Sequence, residues 1–67
     1  MGLLDNSVSL STAEIMENLI HYGFGLINKK YPLQSVWDRL TRDSIYNGLS
    51  AANREAIKEE IYNYYWN

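Results

Sequence analysis

The chain has 67 residues, 46% of them hydrophobic and 21% charged, with a formal net charge of −2. That is room for one small globular domain at most, and a core of this size commonly needs a disulfide, a metal or a partner subunit. With no cysteine, disulfides and thiolate metal sites are excluded, and a single histidine excludes a histidine-rich one, which leaves association as the remaining aid.

Residues 1–10, MGLLDNSVSL, read as an N-terminal arm ahead of a single helical domain over 11–67. The arm has no basic stretch, and Asp5 and Asn6 interrupt its apolar run, so no secretory signal is expected. Asn6 also departs from the myristoylation pattern. No stretch approaches the roughly 18 apolar residues of a membrane span. The expectation is therefore a cytoplasmic protein without membrane contact.

The first helix start is LSTAEI. Ser11 is placed to cap it, with Glu14 three residues on to complete a capping box and Leu10 to staple against Ile15. Ile15, Met16, Leu19, Ile20, Gly23 and Ile27 then recur at three- and four-residue spacing, which predicts an amphipathic helix over 12–28. Glu14, Glu17, Asn18, His21 and Asn28 occupy its other face. Gly23 and Gly25 each cost roughly 1 kcal/mol against alanine in a helix interior. Gly23 lies on the apolar face, where a glycine lets another backbone approach closely; Gly25 lies on the polar face, and the sequence offers no reason for it.

NKKYPL breaks the pattern. Lys29 and Lys30 suit a helix C-terminus, Tyr31 is pushed out of helical geometry by the following proline, and Pro32 suits the first turn of a second helix. That helix carries the stripe Leu33, Val36, Trp37 and Leu40, with Trp37 expected in the core. Residues 41–48 allow two readings. The helix runs on through Ser44 and Ile45 to stop at Gly48, or Thr41 or Asp43 caps a separate short helix over about 42–47. Ser50 then caps a last helix over 51–65, whose apolar stripe is Ile57, Ile61, Tyr64 and Tyr65. The fold class is all-α: a compact three-helix bundle, with a fourth short helix between the second and third in the second reading.

No constellation carries chemistry. His21 has Glu17 one turn before it but no nucleophile pattern nearby, and reads as a surface histidine. Glu55, Glu59 and Glu60 alternate with Arg54 and Lys58 and read as a solvated helix face. Gly23 and Gly25 lack the further glycines and lysine of a phosphate loop. No enzyme activity, metal or cofactor is expected.

One feature rises above this background. Four of the nine aromatic residues, Tyr62, Tyr64, Tyr65 and Trp66, fall in the closing IYNYYWN. On a helix, Tyr62 and Trp66 form a second ridge about 100° from the Ile57–Ile61 stripe. Tyrosine and tryptophan are enriched at protein–protein hot spots. The chain is therefore expected to be a small non-catalytic interaction module (regulator, inhibitor or assembly adaptor). Its partner would be a protein, with Tyr62, Tyr65 and Trp66 at the contact and with self-association as a homodimer.

The alternative is a small DNA-binding regulator of helix-turn-helix type. Its contacts would be Lys29, Lys30, Arg39, Arg42 and Arg54, but Asp38, Asp43, Glu55, Glu59 and Glu60 dilute that charge. A nucleic-acid partner is thus not expected. Because DNA affinity rests on phosphate neutralisation, no duplex binding should be measurable at physiological salt. A retarded band at micromolar protein, abolished by charge reversal of Arg39 and Arg42, would reverse this ranking.

Overall fold

Ser11 starts the first helix as expected: its Oγ accepts from the Glu14 backbone N–H at 3.2 Å, and its own N–H donates to Glu14 Oε1 at 3.0 Å. The computed structural model describes residues 11–67, in which the chain forms α1 (Thr12–Asn28), α2 (Leu33–Thr41), α3 (Ser44–Asn47) and α4 (Ala51–Trp66). The described part is an all-α helical bundle. The arm over residues 1–10, with the Leu10 half of the staple, lies outside the described residues.

The turn between α1 and α2 is tighter than the sequence suggested. Tyr31 N–H donates to the Leu26 carbonyl at 3.1 Å, and Lys30 N–H to the Ile27 carbonyl at 2.9 Å. This is the paired closure of a Schellman motif, which needs a left-handed residue between helix and exit. Lys30 supplies it with φ 73°, in a place where glycine is usual. Pro32 sits just before α2 rather than within its first turn, and its carbonyl accepts from Ser35 and Val36.

Of the two readings of residues 41–48, the separate short helix is found. Asp43 Oδ1 accepts from the Ile45 and Tyr46 backbone N–H groups at 2.8 and 3.2 Å. Asn47 Nδ2 reaches back to the Thr41 carbonyl at 2.8 Å, satisfying the end of α2. The break changes which side chain enters the core: Tyr46 is buried, while Ile45, on the stripe of a continuous helix, is 58% exposed. Ser50 caps α4 through the Asn53 N–H, and α4 reaches Trp66, one residue beyond expectation.

Val36, Leu40, Ile57 and Ile61 are fully buried at the centre, with Leu19, Leu26 and Tyr46 around them. α4 lies mainly on α1 and runs in the same direction, since Gly23 faces Ile61 while Asn28, further along α1, meets Tyr64. Gly23 is buried, and a Cβ there would stand 2.6 Å from Ile61 Cδ1 and 3.1 Å from its Cγ1. A close approach is therefore present at Gly23, but the Ile61 side chain makes it rather than the other backbone that was expected, and Ile61, fully buried, has little room to turn aside. Around Gly25 nothing lies within 4 Å of such a Cβ, and nothing in the structure explains that glycine.

The two glycines should respond oppositely to alanine. At Gly23, overpacking costs about 1–3 kcal/mol, offset by about 1 kcal/mol of helix propensity, so a net loss of about 1 kcal/mol is expected. At Gly25 only the propensity gain applies, and Gly25→Ala should stabilise by about 0.5–1 kcal/mol. Urea midpoints of the two variants measure this directly. A Gly23→Ala protein as stable as Gly25→Ala would show that Ile61 moves aside freely.

Candidate interaction surface at the end of α4

With ~100° between successive residues of a helix, Ile61 pointing inward sends Tyr62 to one flank of α4 and Tyr64 to the other. Tyr64 stacks on Phe24 of α1, ring centroids 4.0 Å apart, and its hydroxyl donates to Asn28 Oδ1 at 2.8 Å. Tyr62 meets Trp37 of α2 edge-on at 5.2 Å. The two tyrosines clip α4 to both neighbouring helices, though each is still 37% exposed. Tyr64 was expected on the inward stripe; it sits at the rim instead, covering Phe24.

Tyr65 is partly buried, and Trp66, about 140° round the helix from Ile61, is 73% exposed. Its ring lies edge-on to Tyr65 at 4.9 Å, and no other aromatic ring pairs with it among the described residues. Tyr65, but not Trp66, lines an open groove together with Ile27, Asn28, Lys30, Tyr64 and Asn67. Of the three residues singled out from sequence, Tyr65 and Trp66 therefore lie together, while Tyr62 is engaged with α2.

Trp37 was expected fully in the core. It is only partly buried, because Val36 and Leu40 take the inward positions of α2 and Trp37 is turned toward Tyr62. Its indole N–H is nonetheless shielded from solvent and has no hydrogen-bond partner among the described residues.

The five cations considered for DNA do not share one groove. Arg39 and Arg42 line a groove between α1 and α2 with Tyr22, Ser35 and Asp38. Lys30 borders the groove at the end of α4, and Arg54 a third one with Thr41, Asn47 and Glu55. Lys29 is exposed at the α1 C-terminus.

No protein-family model matches this chain, and neither a curated protein nor a solved structure does. Among the described residues no three His, Asp or Glu side chains are placed to hold a metal ion. No helix there is long and apolar enough to cross a membrane. His21 is exposed on the outer face of α1, and Glu55 pairs with Lys58 at 3.6 Å, a surface ion pair of small energetic worth.

Periodicity along one helix could not find the Phe24–Tyr64 and Trp37–Tyr62 contacts, since it says which residues share a face but not which faces meet. The orphaned indole N–H supplies a test. A buried unsatisfied donor costs about 1–3 kcal/mol, so Trp37→Phe, which keeps a ring against Tyr62, should fall within about 1 kcal/mol of wild type or above it. Trp37→Ala should lose about 3 kcal/mol, the low end for a large aromatic, because the ring is only partly buried. Equal losses in both variants, read from urea unfolding, would show that the indole N–H has a partner.

Proposed function

We propose that this chain is a small, non-catalytic protein-interaction module, acting in the cytoplasm as a regulator, inhibitor or assembly adaptor. It binds through the end of α4 and self-associates there as a homodimer. The observation that carries the reading is Trp66: a tryptophan 73% exposed, set edge-on to Tyr65, which itself lines an open groove. Exposed tryptophan is costly to leave in water, and paired aromatics of this kind are characteristic anchors at protein contacts.

Two further features support it. The fully buried core is four side chains, so association would add stability the fold does not supply alone. Arg39 with Arg42, Lys30 and Arg54 border different grooves, which speaks against the continuous basic face that a DNA duplex needs.

A two-fold interface would present the same aromatic pair from both subunits. Light scattering at high micromolar concentration should give twice the 7.8 kDa chain mass, and the melting temperature should rise with protein concentration. Trp66→Ala should weaken association at least tenfold with helix content unchanged. Adding Tyr62→Ala should weaken it further and also lower stability, through the lost contact with Trp37. A mass of 7.8 kDa under those conditions would sink the homodimer and leave the surface to a different protein.

A further inference from the structure

We propose that the groove between α1 and α2 is an oxyanion-binding subsite, suited to a phosphate monoester or a carboxylate, with Arg39 and Arg42 as its cations. Arg39 lies in the last turn of α2 and Arg42, three residues on, is its C-cap, and both line this groove. Neither guanidinium has a carboxylate within 4 Å among the described residues, where the one ion pair is Lys58–Glu55 on α4. Arg39 is held in place: its Cζ sits 4.8 Å from the centre of the Tyr31 ring, and Tyr31 is itself fixed by the backbone closure onto Leu26. A stacked guanidinium keeps its planar fork of donors available, which is the geometry that matches carboxylate and phosphate oxygens. Tyr22 from α1, 44% exposed, and Ser35 from α2 line the same groove and bring two hydroxyl donors.

Asp38 lines the groove as well and opposes an anion, as does the negative end of the α2 dipole near Arg42. Binding should accordingly be weak, in the millimolar range, and sensitive to salt. α1 contributes to both this subsite and the groove at the α4 end, but the two share no lining residue, so its test is independent of the homodimer. Two arginines neutralise too few phosphates to hold a duplex, consistent with the expected absence of DNA binding.

The experiment is a titration of the full chain followed by NMR, with inorganic phosphate, acetate and, as control, chloride at matched ionic strength. Saturable shifts are expected at the Arg39 and Arg42 side-chain Nε–H signals and at the Tyr22 and Ser35 amides with phosphate or acetate, but not with chloride. The stronger of the two oxyanions identifies the ligand chemistry. Arg39→Gln and Arg42→Gln should each weaken binding about tenfold, Asp38→Asn should tighten it roughly threefold, and Lys58→Gln should change nothing. All four sites are solvent-facing, and unchanged helix content confirms the fold of each variant. Shifts that match those with chloride, or that persist in both arginine variants, would overturn the assignment.

Discussion

The contact on which the bundle depends is the approach of Ile61 to the bare backbone at Gly23. A side chain of any size at position 23 would meet Ile61 Cδ1 at 2.6 Å, so α4 can lie this close to α1 only because no Cβ intervenes. Val36 Cγ1, 3.8 Å from the same point, brings α2 to the same spot. Three helices therefore converge on one glycine, and the helix propensity lost there, about 1 kcal/mol, is offset by the burial of Ile61 and Val36. Since α1 and α4 run in the same direction, the chain must be carried back between them. The left-handed Lys30 reverses it into α2, and the Asp43-capped turn of α3 reverses it again into α4.

That convergence explains most of the aromatic concentration at the end of α4. A helix seated between two others has two flanks to seal, and Tyr62 and Tyr64 fall on opposite flanks by helical geometry. Phe24 and Trp37 are their counterparts on α1 and α2, the first stacked on Tyr64 and the second edge-on to Tyr62. The fully buried core is Val36, Leu40, Ile57 and Ile61, so these partly exposed ring pairs extend its reach with side chains whose polar tips stay wet. Two of the four closing aromatics thus act within the fold, and the surplus reduces to Tyr65 and Trp66.

Much of the fold was legible because local chemistry marks helix ends strongly. Ser11 with Glu14, and Ser50, fix helix starts through side-chain oxygens aimed at their own backbone, and each boundary fell within a residue of expectation. The stretch over 41–48 was ambiguous because Leu40, Ile45 and Gly48 fit a continuing helix as well as a broken one. The decision lay in Asp43, whose carboxylate makes two bonds to the following turn, and in Asn47 satisfying Thr41, a pairing that no periodic pattern contains. Trp37 was placed too deep for a related reason: sharing a stripe with Val36 and Leu40 does not say which of them a neighbouring helix will cover. The surface at Tyr65 and Trp66 was visible as composition, whereas the groove of Arg39 and Arg42 needed α1 to bring Tyr22 opposite them.

The position of that groove follows from the same break that ends α2. With Val36 and Leu40 inward, Ser35, Asp38, Arg39 and Arg42 recur at three- and four-residue spacing on the outer flank, as one polar stripe. Had the helix run on through Ser44, Arg42 would lie in its interior. Asp43 instead stops the helix at Thr41 and leaves Arg42 as its C-cap, where the free carbonyls of the last turn favour a cation. Tyr31, fixed by the opposite turn, holds Arg39 from the other side. The two reversals that allow α1 and α4 to run parallel therefore also position both arginines, so the anion-facing stripe is a geometric consequence of seating α4 on Gly23.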